Sequence, residues 1–264
     1  MRFEEKVYII TGSATGVGAA CARMLAQRGA QVVINYSRSE PAAAETEAQC
    51  RALGADTLLV RADVSLDADC RRMVDAVLAK WGRIDGLVNN AATTIGVDPF
   101  DLNQLSLEDF QEVYAVNVGG VYQMTRAVVS SMKQQGRGAI VNISSNVVFT
   151  GGGSSLAYTA SKGALNALTL ALARVLGPEI RVNAVCPGII NTRWMRRAVG
   201  EAKYAALEQK FRENAPMRRV SEPEDVADVI LWLLGGTEYV TGELVRVDGG
   251  IRLSGGQRPV IGPL

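Results

Sequence analysis

The chain has 264 residues, 48% of them hydrophobic, enough for a sizeable core in one or two domains. Its charges sum to +1 and are dispersed, which argues against a nucleic-acid or membrane-surface partner. It has no histidine, so Ser-His-Asp and Cys-His mechanisms are excluded, and chemistry must rest on Tyr, Lys, Ser, Asp, Glu or a cofactor.

The first element is "KVYIITG", a β-branched run closed by Gly12 and read as a strand. "TGSATGVG" then joins it to the helix "VGAACARMLAQRGA". Gly12, Gly16 and Gly18 permit a tight turn and a close backbone approach to a pyrophosphate, which the helix N-terminus favours. The spacing is G-x-x-x-G-x-G rather than G-x-G-x-x-G, and a plain strand-to-helix turn would use the same residues. No Gly-Lys-Ser/Thr follows, so this is not a Walker A loop.

The second strand, "QVVINY", ends at Tyr36 and runs into Ser37, Arg38 and Ser39. NAD-specific sites carry an acid there for the ribose hydroxyls, and none occurs before Glu40. A guanidinium flanked by hydroxyls suits a 2′-phosphate, so NADP is expected over NAD, although a plain surface arginine fits the pattern too. A helix opened by Pro41 and closed by Gly54 leads to the strand "DTLLVRAD". Asp63 at its end could accept from an adenine amino group with Val64 against the ring, or cap the next turn.

The helix "DADCRRMVDAVLAKWG", the strand "RIDGLVNNA", a loop, and a long helix over 106–135 follow. Asn117 inside that helix is unfavourable there, which points to a backbone distortion or to a bond with the preceding turn. Next come the strand "GAIVNISS", the helix "AYTASKGALNALTLALARVLG", the strand "IRVNAVCPG", the helix "PEDVADVILWLLG" and the last strand "GELVRVDGG". Alternating strands and helices, with several strands apolar throughout, predict one α/β doubly wound Rossmann domain over 1–250, its parallel sheet having about seven strands. Residues 189–220 interrupt the alternation as a helical insertion, and 251–264 form a Gly/Pro-rich tail without expected regular structure.

Cys21, Cys50, Cys70 and Cys186 show no C-x-x-C spacing, and with no histidine to complete a site they read as reduced structural thiols, with no metal expected. No apolar run approaches a bilayer span and the N-terminus has no signal-peptide pattern, so a cytoplasmic protein with no membrane partner is expected.

Together, "TGSATGVG", "ADV" at 62–64, "NNAA" at 89–92, Asn117, "NISS" at 142–145, "YTASK" at 158–162, "PG" at 187–188 and "TGELVRVDGG" resemble the short-chain dehydrogenases/reductases along essentially the whole chain. The nearest resemblance is to the 3-oxoacyl-(acyl-carrier-protein) reductases. Ala92 departs from the family, which has glycine there. The resemblance implies that Gly12, Ser13, Thr15, Gly16, Val17 and Gly18 hold the cofactor, with Tyr36, Ser37, Arg38, Ser39, Asp63 and Val64 at its adenosine end. It places Asn89, Ala91 and Ala92 beside the ribose, and Pro187, Gly188, Ile190 and Thr192 beside the nicotinamide.

It also implies a catalytic Asn117, Ser145, Tyr158 and Lys162. Tyr158 and Lys162 lie one helical turn apart, a spacing that a surface Tyr packed on a Lys stem would share. In the catalytic reading Tyr158 gives a proton to a carbonyl oxygen, and the Lys162 cation lowers a phenol pKa of about 10 toward the useful range. Lys162 would also bind the ribose hydroxyls. Ser145 would hold the substrate oxygen; Asn117 would support a water leading to Lys162. The insertion is expected as a substrate lid, with Trp194, Met195, Tyr204 and Phe211 lining it or merely packing it on the body. The expected activity is NADPH-dependent carbonyl reduction of the 3-oxoacyl-thioester type by a homotetramer. The alternatives are an alcohol dehydrogenase acting on a sugar, polyol or steroid, and a dinucleotide binder without catalysis.

Overall fold

Residues 3–98 and 100–253 are described by a computed structural model. Seven parallel strands form one sheet: β1 (Val7–Ile10), β2 (Gln31–Tyr36), β3 (Thr57–Arg61), β4 (Gly86–Asn89), β5 (Gly138–Ile143), β6 (Ile180–Pro187) and β7 (Leu244–Val247). Their order is β3-β2-β1-β4-β5-β6-β7, so the chain reverses direction across the sheet between β1 and β4. In open α/β sheets that reversal opens a crevice at the carboxyl ends of the strands.

Alternation along each strand sends side chains to two cores. Tyr8 and Ile10 of β1 join Val32 and Ile34 of β2 under helices α1 (Gly16–Ala26), α2 (Glu40–Ala52) and α10 (Pro223–Leu231). Val7, Ile9 and Val33 face the opposite way, against α3 (Asp67–Trp81), α5 (Val121–Gln134) and α7 (Leu156–Leu176). Both faces are covered, which is why these strands read as unbroken apolar runs. The four cysteines are free thiols buried in these layers.

Helix ends follow local chemistry. Ser106 and Asp109 form a capping box at α4 (Leu107–Tyr114), and Gly82 ends α3 in the left-handed region at φ 68°. The long helix expected over 106–135 is α4 and α5 joined by a π turn over Ala115–Gly120, so the distortion suspected at Asn117 is present. The helix expected through Gly235 likewise passes from α10 into a π turn over Trp232–Gly236.

The insertion forms α8 (Arg193–Val199) and α9 (Glu201–Asn214), parted by Gly200, and packs through a small core of Phe211, Ala215 and Val220. A 3-10 turn over Leu102–Gln104 lies in the stretch read as loop, and a short helix α6 (Val147–Thr150) follows β5, where no element was expected. The tail begins with a 3-10 turn over Ile251–Leu253, against the expectation of no regular structure; residues 254–264 lie outside the described residues. Among the described residues, no helix is long and apolar enough to cross a membrane.

Candidate active site

At the switch point the loops after β1 and β4 are bolted together. Asn90 donates through Nδ2 to the carbonyls of Thr11 and Gly12, at 2.9 and 3.0 Å. The Thr11 hydroxyl oxygen accepts from the amides of Asn90 and Ala91, each at 3.0 Å. Gly12 sits at φ 62°, and a Cβ there would stand 2.9 Å from Ala91 Cα. A Cβ on Gly18 would meet Asn90 Nδ2 at 2.7 Å. Both glycines are therefore required by chain packing before any ligand is considered.

Below the loop, Asn35 accepts the Gly12 amide through Oδ1 at 2.9 Å and donates to the Val60 and Ala62 carbonyls. Ser13 donates to the Ile10 carbonyl at 2.8 Å and accepts from the Asn35 amide at 2.9 Å. Ser13 is fully buried, so its hydroxyl is committed to the fold and only its main chain can face a ligand. Asn89 is similar: it donates through Nδ2 to Asn142 Oδ1 at 2.9 Å inside the sheet. Thr11, Asn35 and Asn90 were absent from the expected site, although Thr11 and Asn90 lie within or beside the quoted motifs.

The residues fit a dinucleotide. Thr15 precedes α1 without a side-chain cap, and the first turn of α1 carries no acid, so the positive end of the helix is not neutralised. At the end of β2, Ser37, Arg38 and Ser39 are exposed, and Arg38 makes no ion pair among the described residues. Burial, and then the charge of the neighbouring Glu40 carboxylate, push the Tyr36 phenol up. Asp63 accepts from the Ser65 amide and hydroxyl at 2.9 and 2.7 Å, so its carboxylate braces the turn. Val64 packs on the π turn: a Cβ on Gly120 would lie 2.7 Å from its Cγ2.

The expected catalytic residues converge where β5, α7 and the π turn meet. Ser155 caps α7 by accepting the Tyr158 amide at 3.1 Å, which fixes the first turn. Lys162 is buried one turn on, its Nζ 5.6 Å from the centre of the Tyr158 ring. Asn117 is fully buried; it accepts the Thr93 amide at 2.8 Å and donates to the Thr93 carbonyl and Ser161 Oγ, each at 3.0 Å. Ser161 in turn donates to the Tyr158 carbonyl at 2.7 Å. Ser145 Oγ accepts the Val147 amide at 3.4 Å, and its hydroxyl lies near enough to the Tyr158 phenol to act on its pKa. Neighbouring Ser144 turns instead to the Lys162 carbonyl at 3.4 Å.

One expectation is corrected. The Lys162 ammonium donates to the Ile143 carbonyl at 2.7 Å, and it is not what sets the phenol. Burial pushes the Tyr158 phenol up to about 12, with the nearby Ser145 hydroxyl pulling it partly back. Burial lowers Lys162 to about 8, with the Cys186 thiol acting the other way. Desolvation outweighs charge attraction here because both groups are sealed under the sheet edge.

On the far side, the Asn146 amide donates to the Pro187 carbonyl at 2.8 Å, and the Gly188 amide to the Val247 carbonyl at 2.9 Å. Ile190 forms an isolated bridge with Ser221. Thr192 caps α8 by accepting the Met195 amide at 3.1 Å. Its Cγ2 lies 3.4 Å from where a Cβ on Gly16 would stand, so the base of the insertion faces the glycine loop. Trp194 of α8 lies against Tyr158, ring centres 6.1 Å apart. Tyr204 and Phe211 are buried within the insertion, Phe211 in its small core with Ala215 and Val220 and against Ile251.

A doubly wound sheet with a glycine loop at its switch point and a Ser-Tyr-Lys cluster at its carboxyl edge defines a dinucleotide-binding oxidoreductase fold. The family model described as enoyl-(acyl carrier protein) reductase matches residues 12–252. A Streptomyces violaceoruber protein named for ketoacyl reduction in the granaticin polyketide synthase is 40% identical over 250 residues, spanning 95% of this chain and 97% of that one. The 3-oxoacyl-(acyl-carrier-protein) reductase of Thermotoga maritima is 37% identical over 254 residues, spanning 95% and 99%. The structure of NAD+-bound xylitol dehydrogenase matches with a TM-score of 0.86 at 31% identity, covering 95% of this chain and 100% of that one. The chain belongs to the short-chain dehydrogenase/reductase family, close to the 3-oxoacyl-(acyl-carrier-protein) reductases.

Proposed function

We propose that this protein uses NADPH to reduce a carbonyl to a secondary alcohol, in the manner of a 3-oxoacyl-thioester reductase. The observation that carries the reading is geometric: Tyr158 is buried in the first turn of α7, with the buried Lys162 ammonium 5.6 Å from its ring centre and buried Ser145 just after β5. Bound nicotinamide supplies the hydride. Ser145 holds the carbonyl oxygen, and Tyr158 gives up its proton as negative charge grows there. An alkoxide is a far stronger base than a phenolate, so a phenol near 12 is still acid enough to protonate it.

Lys162 holds positive charge beneath the phenol and offers its ammonium to the ribose hydroxyls. Asn117 acts as a positioning residue. Its side chain is spent on Thr93 and Ser161, so it fixes the loop after β4 and the first turns of α7 without touching substrate.

Arg38 supports NADP: it is exposed, unpaired among the described residues, and stands where NAD-specific sites place an acid. The expected result is that Arg38→Ala lowers kcat/KM with NADPH about ten-fold or more while NADH changes under about two-fold. Equal losses with both cofactors would remove the basis for NADP. The similarity to xylitol dehydrogenase with NAD+ supports a second reading, NAD-dependent oxidation of a polyol. Cofactor oxidation and reduction, run with 3-oxoacyl thioesters, simple ketones and polyols against all four cofactor forms, separates the two. A homotetramer is also proposed, since α4 and α7 carry exposed Phe110, Tyr114, Leu170 and Val175.

A further inference from the structure

The site has a buried floor, formed by Ser145, Tyr158 and Lys162, and a roof formed by the insertion. The part of the roof over Tyr158 is α8, aimed by a few contacts at its two ends. At its base Asn191 donates through Nδ2 to both Glu222 carboxylate oxygens at 3.2 Å. Asn191 Oδ1 accepts from Arg196 at 3.1 Å and from the Tyr204 hydroxyl at 3.3 Å, and the Arg196 guanidinium lies 4.0 Å over the Tyr204 ring. At its far end the helix abuts the loop after β4: a Cβ on Gly96 would stand 2.5 Å from the Ala198 carbonyl oxygen. That loop is itself pinned, by Asn117 to Thr93 and by a 2.6 Å bond between the Thr94 and Ser154 hydroxyls.

So held, α8 lays the Trp194 indole against the Tyr158 ring, 6.1 Å between centres and tilted by 45°. Tyr158 is only 9% exposed, whereas Trp194 remains 40% exposed. The indole therefore packs one part of its surface on the phenol ring and leaves another part uncovered within one residue's reach of it. A carbonyl oxygen that reaches Tyr158 brings its nearest substituent into contact with that open surface. An indole face rewards a flat apolar group with buried area and stacking, and rewards a methyl group much less.

We infer that Trp194 is a specificity-determining residue, selecting ketones that carry a flat apolar ring next to the carbonyl over their short acyclic counterparts. This rests on the reading of Tyr158 as the proton donor in carbonyl reduction.

The test uses two esters with the same reacting group, ethyl benzoylacetate and ethyl acetoacetate, which differ by phenyl for methyl. Wild type, Trp194→Ala, Trp194→Phe and Tyr158→Phe are assayed on both with saturating NADPH. Expected for Trp194→Ala is a rise in KM of about ten-fold or more for the phenyl ester, with kcat little changed and the methyl ester altered under about three-fold. Trp194→Phe should restore most of the loss. Binding is read independently in the Trp81→Phe/Trp232→Phe protein with NADP+ present, where the phenyl ester should quench the remaining indole emission at lower concentration than the methyl ester. Equal losses on both esters, no loss on either, or identical quenching curves would overturn the inference while leaving the carbonyl-reductase reading intact, provided Tyr158→Phe is inactive. A Tyr158→Phe protein that still reduces both esters would overturn that reading, and this inference with it.

Discussion

The floor and the roof of the site are built differently. The floor, Ser145, Tyr158 and Lys162, is buried and bonded into sheet and helix, with Lys162 tied to the Ile143 carbonyl and Tyr158 capped by Ser155. The roof, α8 and α9, stands on polar clamps at the surface: Asn191 to Glu222, Arg196 to Glu201, and Arg196 over Tyr204. Its apolar core is three buried residues, against more than twenty in each core flanking the sheet. A deeply embedded floor keeps the reacting groups in register whatever the substrate. A thinly supported roof can be remodelled without unfolding the sheet, which is where substrate choice can be written.

The sharpest way to break this contrast is at the floor. Tyr158→Phe removes one oxygen from a packed site and leaves its volume unchanged. Turnover should fall by about a thousand-fold or more, since a positioned acid contributes roughly 10²–10⁴. The dissociation constant for NADP+ should stay within about two-fold of wild type, measured by calorimetry. A turnover loss under about ten-fold would mean that the proton comes from elsewhere.

Much of the floor was legible in the sequence. Alternating apolar runs fixed the layers, Gly12 and Gly18 marked the tight loop, and an asparagine misplaced in a helix marked the π turn. The spacing of Tyr158 and Lys162 placed them on one helical face, because one turn of helix is a local property. What stayed hidden depends on contacts far apart in the chain. Lys162 meets a carbonyl 19 residues away, and Asn90 meets Thr11 across 79. Local spacing put the ammonium near the phenol but could not report that burial would dominate both groups. Nor could it place Trp194 on Tyr158, since the clamps that aim α8 run through Asn191, Tyr204 and Glu222.

Lys162 sharpens the comparison through pH. Its folded pKa, about 8, lies below its ordinary 10.5, so the fold binds fewer protons than the unfolded chain between those values. Stability contributed by this group is present above pH 10.5 and is lost as pH falls through 8. Wild type should therefore lose stability relative to Lys162→Met on going from pH 10 to pH 7, by on the order of 3 kcal/mol at most. Urea unfolding of both proteins at the two pH values measures it. Parallel behaviour would mean that the buried ammonium is fully compensated by the Ile143 carbonyl. Tyr158 works in the opposite sense, its raised pKa costing stability only above pH 10, so it does not confuse the window.

At the roof the expected effect is smallest, and its signature is different. Asn191→Ala removes the acceptor shared by Arg196 and Tyr204 and the donor to Glu222, while the Asn191 amide keeps its bond to the Ser221 carbonyl at 2.9 Å. These are partly exposed bonds, so the stability loss should be about 1 kcal/mol. The sheet should not register it. The base of α8 should, and exposed Arg193 and Arg197 make its opening visible to trypsin. Cleavage there should accelerate several-fold, KM for a ketone should rise about three-fold or more, and kcat should stay within about two-fold, because the floor does not move. If instead kcat fell along with Tyr158→Phe while proteolysis was unchanged, the clamp would be part of the floor, and roof and floor would be one cooperative unit.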